Sequence, residues 1–213
     1  MPAFRDIIDV PLIVQKPVRS KEEVRKEFGI NDGEKLLLFN FGGQDASWSL
    51  EAEFLPEDWK CLVCAAPAGQ ILPPNFKSVA SDVYTPDLIV ASDCMLGKIG
   101  YGTTSEALAF EVPVVFVHRD YFNEEPFLRN MLEYHHCGVE IIRWDFLTGC
   151  CNPYLTKALR IDPSYKGPLN GGEVIAQIAE EVALGRNSPI NKNADGKPNL
   201  DLVMSLHILA AMH

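Results

Sequence analysis

Short, nearly continuous runs of apolar residues recur along the chain and constrain its fold more than any other feature. The first run, Leu36-Leu37-Leu38-Phe39-Asn40-Phe41, ends at the pair Gly42-Gly43. Short apolar runs that end at turn signals are typical of strands buried on both faces, as in a parallel sheet. Runs of the same form recur at residues 61–66, 94–99, 114–117 and 139–142.

Helical patterns lie between these runs. Ser20-Lys-Glu-Glu23 matches a capping box and Gly29 supplies a stop signal, which predicts a helix over residues 21–28. Thr85-Pro86-Asp87 has the chemistry of another helix start. Longer helical patterns cover residues 103–110, 123–136 and 173–184. Strands that alternate with helices predict an α/β fold, a right-handed, doubly wound parallel sheet of the Rossmann-like kind.

Composition excludes several classes of protein. The formal net charge of −10 argues against a general nucleic-acid or anionic-membrane binder. No apolar run approaches the roughly 18 residues that a membrane span needs, and the first residues lack the pattern of a secretory signal. Six cysteines are too few for a disulfide scaffold, and Cys61, Cys64, Cys94 and Cys137 lie in apolar stretches that suit reduced thiols. We therefore expect a cytoplasmic protein.

The chain divides into three parts by pattern. Residues 6–18 are apolar but interrupted by prolines, which predicts an extended lead-in segment. One domain is expected over residues 9–185. Residues 186–213 are expected to form a polar linker, to residue 200, followed by a short C-terminal helix.

Two glycine-bearing loops follow predicted strands, at the end of a parallel sheet where ligands bind. One is Asn40-Phe-Gly-Gly-Gln44, and the other runs from Gly97 to Glu106. In the second loop, Gly100 and Gly102 permit close approach of a ligand, Thr103 and Thr104 open a helix that favours an anion, and Lys98 adds positive charge. An alternative stays open, because Thr103-x-x-Glu106 also matches a capping box in which Glu106 meets no ligand.

A longer sequence motif favours ligand binding over the capping box for the second loop. Gly100-Tyr-Gly-Thr-Thr-Ser-Glu106, followed seven residues later by Pro113, a strand and Asn123-Glu-Glu125, resembles the donor-binding half of GT-B glycosyltransferases. The chain also resembles the glycosyltransferase-like N-terminal region of the plant L-arabinokinase family over roughly residues 9–185. The segments that carry this resemblance are NFGGQ, LPEDWKCLVC, LPPNF, YTPDLIVASDCMLGKIGYGT, RDYFNEEPFLRNMLE and NGGEV.

The resemblance implies a nucleotide-sugar pocket, with UDP as the expected nucleotide. We expect no metal site and no cofactor. It assigns Gly100, Gly102, Thr103 and Thr104 to the diphosphate and Glu106 to the ribose hydroxyls. The sugar hydroxyls would meet Asn123, Glu124 or Glu125. Gly42 and Gly43 would lie across the cleft near the phosphates, and the remaining candidate contacts are Gln44, Lys98 and Tyr101.

The same resemblance implies that parts of the family's machinery lie elsewhere. GT-B enzymes take their catalytic base from a preceding acceptor domain, and we expect the chain to start near the end of the linker from such a domain, without a kinase domain. Three functions therefore stay open. They are a nucleotide-sugar-binding domain, an active transferase half that needs an N-terminal acceptor-type domain or a separate chain, and a non-catalytic truncated interaction module.

Two further residue groups carry alternatives. Cys61-x-x-Cys64 has the spacing of a redox pair or half a zinc site, but its position within a strand favours ordinary buried thiols. His118-Arg119-Asp120 follows a strand on the ligand side. Arg119 is expected to meet either a phosphate or Asp120.

Overall fold

The computed structural model describes residues 9–41, 54–66, 69–80, 82–120 and 122–185. The chain divides into two compact units. One consists of residues 15–165, and the other consists of residues 1–14 and 166–213. The predicted linker and C-terminal helix of residues 186–213 lie outside the described residues. The prediction of one domain over residues 9–185 therefore stays a prediction.

The unit of residues 15–165 contains a parallel sheet of six strands and, within the described residues, six helices. The strands are β1 (Lys35–Asn40), β2 (Trp59–Cys64), β3 (Phe76–Val79), β4 (Cys94–Gly97), β5 (Val114–Val117) and β6 (Gly138–Ile141). The helices are α1 (Lys21–Phe28), α2 (Thr85–Ala91), α3 (Tyr101–Ala109), α4 (Glu125–Tyr134), α5 (Arg143–Leu147) and α6 (Asn152–Ala158). This arrangement confirms the predicted α/β sheet.

The strand order is β3-β2-β1-β4-β5-β6, and every neighbouring pair is parallel. The chain therefore builds outward from β1 in one direction and then crosses to β4 to build in the other. The point between β1 and β4 is the topological switch point of the sheet, where open α/β sheets bind ligands beyond the carboxyl ends of the strands.

Both faces of the sheet are covered, which explains the apolar runs. Helices α1 to α4 pack in sequence against one another, while α6 packs against β5 and β6. Leu37 and Phe39 belong to a buried cluster with Phe146 of α5 and Leu155 of α6. The alternate residues Leu36 and Leu38 are also fully buried, so side chains of both pleat directions avoid water.

Strand β3 was not predicted, because its pattern differs from that of the other strands. Phe76 and Val79 are buried, but the two residues between them are exposed. Since β3 pairs with β2 and ends the strand order, its central residues face water and need no apolar side chains. A short edge strand of this kind leaves no continuous apolar run in the sequence.

The second unit is described over residues 9–14 and 166–185. Ile13 bridges to Asn170, and the Gly171 N–H donates to the Leu12 carbonyl at 3.1 Å. Helix α7 spans Gly171–Ala183, two residues earlier at its start than predicted. Residues 9–18 are free of helix, which agrees with the expected extended lead-in segment.

Candidate functional site

The two loops predicted to bind a ligand leave the sheet from neighbouring strands. Strands β1 and β4 pair in parallel, with Asn40 opposite Gly97 at their carboxyl ends. The loop after β4 therefore starts beside the end of β1, at the switch point. Gly42, Gly43 and Gln44, which continue from β1, lie outside the described residues.

Gly97 allows these two strands to approach closely. A Cβ atom built on Gly97 would lie 2.0 Å from the Asn40 carbonyl oxygen, much closer than any side chain tolerates. The glycine thus has a packing role in the sheet. It brings the ends of β1 and β4 together at the point where the candidate loops begin.

Helix α3 begins directly after this loop, and its first turn has no side-chain cap. Gly100 is the N-cap residue and the helix starts at Tyr101, two residues before the predicted start at Thr103. The capping-box alternative is therefore wrong, because Thr103 lies inside the first turn. The Glu106 side chain instead accepts a hydrogen bond from the Gln15 N–H. First-turn amides without a cap, at the positive end of a helix dipole, attract an anion.

Gly100 and Gly102 leave open space at this helix start. A Cβ atom on either residue would meet nothing within 4 Å. Neither glycine has a left-handed φ, so the backbone does not require glycine at these positions. Tyr101 and Gly102 are exposed, and Thr103 is half-buried. The surface above the first turn is thus accessible to a ligand that approaches the main chain.

Thr104 follows in the same turn and is fully buried. Among the described residues, its Oγ1 atom has no hydrogen-bond partner. The neighbouring Ser105 hydroxyl donates to the Tyr101 carbonyl at 2.7 Å, so its bond is satisfied within the helix. A buried hydroxyl without a partner is uncommon and is typical of sites that a ligand, water or ion completes.

Lys98 and Arg119 bring two positive charges to this edge of the sheet. Partial burial, and then the charge of Arg119, lower the pKa of Lys98 below its ordinary value. The Arg119 guanidinium also contacts the Ile99 carbonyl oxygen, one residue before the N-cap of α3. Arg119 is itself paired with Glu125, so Lys98 is the cation that makes the potential beside this helix N-terminus favourable for an anion.

Glu106 lies on α3 and is mostly buried, with 8% of its surface exposed. Burial raises the pKa of Glu106, and the Gln15 N–H opposes this shift only in part. Burial is thus the larger of the two effects on the pKa of this carboxyl group. A carboxylate kept in such a position is a candidate for ligand binding.

The three candidates for sugar contacts differ in exposure. Asn123 and Glu124 are exposed, whereas Glu125 at the start of α4 is 1% exposed. Glu125 accepts hydrogen bonds from the Arg119 N–H at 2.8 Å and the Arg119 Nε at 3.1 Å, and His118 Nδ1 lies 2.8 Å from its carboxylate. Arg119 thus pairs with Glu125 and not with Asp120.

The sequence did not reveal this group of His118, Arg119 and Glu125. The Arg119 guanidinium also lies 3.8 Å from the centre of the Phe122 ring, in the loop after β5. Because it contacts the Ile99 carbonyl oxygen as well, Arg119 connects this loop with the loop after β4. The available signal was a His-Arg pair at a strand end and a glutamate six residues further on, at a helix start. That spacing alone does not say which carboxylate the arginine selects.

Cys61 and Cys94 are buried within strands, and Cys64 is half-buried. Burial raises the pKa of the Cys64 thiol to about 11, which disfavours the reactive thiolate. This environment supports ordinary buried thiols over a redox pair. In the ranges that the structure describes, no group of three or more side chains has the composition of a metal site. None of the helices there combines the length and apolar character needed to cross a membrane.

Solved glycosyltransferase structures share the fold of this chain. The spinosyn forosaminyltransferase SpnP superimposes with a TM-score of 0.54 at 15% sequence identity, over 97% of this chain and 50% of that protein. The calicheamicin glycosyltransferase CalG4 gives a TM-score of 0.53 at 17% identity, over 84% of this chain and 47% of that protein. The fold is therefore the Rossmann-like α/β fold of GT-B glycosyltransferases, and the chain spans about half of each.

A named plant protein is similar to this chain in sequence. The L-arabinokinase of Arabidopsis thaliana is 55% identical over 204 residues, which are 96% of this chain and 20% of that protein. The chain thus spans about a fifth of the length of this relative. No family model matches the chain. Together these similarities define a glycosyltransferase-like domain, similar to one part of an L-arabinokinase.

Proposed function

We propose that this chain is a nucleotide-sugar-binding domain, with a UDP-sugar as its ligand. The observation that carries the proposal is the uncapped start of α3, which lies at the switch point of the sheet and has open space above Gly100 and Gly102. A diphosphate there accepts hydrogen bonds from first-turn amides and gains from the helix dipole.

Each nearby group has a role in this proposal. Thr104 and Lys98 lie beside the same helix start, where a hydroxyl without a described partner and a cation both suit phosphate oxygens. Glu106 accepts hydrogen bonds from the ribose hydroxyls. Exposed Asn123 and Glu124 are placed to meet hydroxyl groups of the sugar. Gly42, Gly43 and Gln44 remain proposed phosphate contacts from the neighbouring loop.

We also propose that sugar transfer needs a second domain or chain. The solved glycosyltransferases are about twice as long as the part that this chain matches. A domain that binds the donor would then supply one side of the cleft, while an acceptor-type domain would supply the other side and the catalytic base. The six free cysteines support a reducing compartment such as the cytoplasm.

Isothermal titration of the purified chain with UDP, UDP-glucose and UDP-arabinose tests the nucleotide-sugar proposal. We expect UDP-sugars to bind and ADP to bind more weakly. The change Glu106→Gln should weaken UDP binding about tenfold, because a charged acceptor for two ribose hydroxyls is lost. The matched control Glu57→Gln changes an exposed glutamate and should leave the affinity unchanged. Absence of binding to every UDP ligand at millimolar concentration would overturn the proposal.

A further inference from the structure

The segment of residues 15–19, which leads into α1 and is called the strap below, is held by a buried carboxylate of α2. Asp87 lies in the first turn of α2 and is 1% exposed. Its Oδ1 atom accepts hydrogen bonds from the Val18 N–H at 2.7 Å and the Arg19 N–H at 3.1 Å, and its Oδ2 atom accepts one from Arg19 Nε at 2.8 Å. Three donors of the strap thus converge on one side chain, which fixes this part of the strap against α2.

Further contacts hold the strap near both of its ends. The hydroxyl of Tyr84, the residue before α2, donates a hydrogen bond to the Lys16 carbonyl at 3.1 Å. At the other end, Ser20 is the N-cap of α1 and forms its capping box, and the Arg19 guanidinium also contacts Glu27 of that helix. The strap therefore cannot move along α2 unless charge-assisted hydrogen bonds break.

The first residue of the strap reaches the candidate site. The Gln15 N–H donates a hydrogen bond to the Glu106 side chain on α3. Gln15 is exposed, so this bond joins the mostly buried Glu106 to a residue at the protein surface. Glu106 follows the N-cap Gly100 by six residues, a rise of roughly 9 Å, and long helical side chains point back toward the helix start. A ribose next to a diphosphate at the start of α3 therefore lies within reach of this carboxylate.

The strap is short, so its fixed points limit where the Gln15 N–H can lie. An extended chain spans at most about 3.6 Å per residue, which places the Gln15 nitrogen within roughly 11 Å of the Val18 nitrogen that Asp87 holds. A carboxylate has about four acceptor positions on its two oxygens. One donor at a fixed position therefore orients the Glu106 carboxylate and leaves acceptor positions for a pair of hydroxyl groups.

We infer that the strap is part of the nucleotide site, where the Gln15 N–H orients Glu106 toward the two ribose hydroxyls. Asp87 is then a positioning residue, because it acts on the ligand only through the strap and Glu106. The inference rests on the proposed function and deepens it. It makes the preference for ribose over deoxyribose depend on a main-chain segment that belongs to neither of the two candidate loops.

The preference for UDP over 2′-deoxy-UDP isolates the ribose contact, because the two ligands share their base and diphosphate. In titration calorimetry of the full chain, we expect the wild type to bind UDP roughly tenfold more tightly than 2′-deoxy-UDP. Gln15→Pro removes the donor and should lower this preference about fivefold, while the affinity for inorganic pyrophosphate changes less than about twofold. Gln15→Ala retains the N–H and should therefore lower the preference less than Gln15→Pro does.

A double-mutant cycle tests whether the strap acts through Glu106. In the Glu106→Gln background, Gln15→Pro should change the preference less than about twofold, because the carboxylate that the N–H orients is already absent. Asp87→Asn should lower the wild-type preference about threefold, since Arg19 loses its charged partner and the strap is held less firmly. Exposed Asp82→Asn is the matched control. A merely structural Asp87 would change the folded fraction, which affects every ligand equally and leaves the preference unaltered.

Amide NMR of the unmodified chain gives a readout that does not depend on the folding of any variant. The Gln15 amide proton should shift on addition of UDP, and much less on addition of 2′-deoxy-UDP or pyrophosphate, because the ribose hydroxyls share its acceptor. If UDP binds but the Gln15 amide does not respond, or if Gln15→Pro leaves the preference intact, this inference fails while the proposed function stands. Equal wild-type affinities for UDP and 2′-deoxy-UDP would also overturn it. If no UDP ligand binds, the proposed function itself fails.

Discussion

Two carboxylates of this domain have opposite environments, although both lie next to the same strand. Asp93 directly precedes β4 and accepts hydrogen bonds from the Leu36 N–H at 2.8 Å and from Arg25 at 3.1 Å, with Lys21 at 3.4 Å. Glu106, on the helix that follows β4, receives one backbone N–H among the described contacts. The carboxylate at the amino end of the strand thus has three described donors, and the carboxylate on the helix after the strand has one.

The pKa values of these groups follow from that difference. Burial alone would raise the pKa of Asp93, but the Leu36 N–H and the charges of Lys21 and Arg25 outweigh it and the pKa is lowered. At Glu106 burial dominates and the pKa is raised. Ionised Asp93 therefore stabilises the fold, whereas ionised Glu106 costs stability. Polar groups that cost stability are typical of functional sites.

The largest effect is expected where the sheet itself is closely packed. Gly97→Ala places a Cβ atom 2.0 Å from the Asn40 carbonyl oxygen, so β1 and β4 must separate. We expect a loss of about 3 kcal/mol in the free energy of unfolding, measured by urea denaturation. The control Gly102→Ala meets no atom within 4 Å and should change stability by about 0.5 kcal/mol or less. Equal stability of the two variants would contradict the assigned role of Gly97.

Asp93→Asn tests the carboxylate that has several donors. We expect a loss of about 2 kcal/mol at pH 7, because Arg25 and Lys21 lose their charged partner. The contribution of Asp93 is fully present above its unfolded pKa of about 3.9, and it is lost as the pH falls through the lowered folded pKa. Unfolding curves at pH 7 and pH 3 measure this, with exposed Asp82→Asn as control. If the difference in the free energy of unfolding between the wild type and Asp93→Asn is larger at pH 3 than at pH 7, the stabilising role of ionised Asp93 is wrong.

Glu106→Gln tests the carboxylate with one described donor. Its expected effect on stability has the opposite sign to that of Asp93→Asn, because the pKa of Glu106 is raised. The pKa of Glu106 is higher in the folded state than in the unfolded state. The group therefore stabilises the fold at a pH below its unfolded pKa of about 4.3, and this contribution is lost as the pH rises through the folded pKa. Glutamine removes that loss, so the variant should be as stable as the wild type at pH 7.5 or more stable by about 1 kcal/mol or less. Thermal unfolding at pH 4.5 and 7.5 checks this prediction. If Glu106→Gln is much less stable than the wild type at pH 7.5, the ionised Glu106 side chain stabilises the fold and this prediction is wrong.

Lys98→Met is expected to have the smallest effect. Removal of a cation whose pKa is lowered by burial and by Arg119 should leave stability nearly unchanged. The affinity for UDP should fall roughly fivefold at low ionic strength, and less in high salt. Lys157→Met on the exposed surface of α6 serves as the control, with titration calorimetry as the measurement. Equal UDP affinity in the two variants would remove Lys98 from the site.

The sequence predicted the features that depend on local pattern. Apolar runs identified β1, β2, β4 and β5, whose residues are mostly buried, and also β6, in which only Glu140 is exposed. Two exposed central residues concealed β3. The loops after β1 and β4 were expected at one edge of the sheet, and the strands that lead into them are indeed neighbours.

Long-range pairing of side chains could not be predicted in the same way. The Gln15 contact of Glu106 joins residues far apart in sequence, so no local spacing encodes it. The choice of Glu125 over Asp120 by Arg119 depends on how the start of α4 turns toward β5. The start of α3 at Tyr101 also depends on context, since neither Gly100 nor Tyr101 resembles a side-chain cap.

The central claim is that the start of α3 binds a diphosphate, and a comparison of UDP with uridine tests it most directly. Titration calorimetry of the unmodified chain with both ligands isolates the contribution of the phosphates, because the base and the ribose are identical. The account predicts that UDP binds at least roughly a hundredfold more tightly than uridine, with a difference that shrinks as salt is added. Equal affinities for UDP and uridine would contradict it.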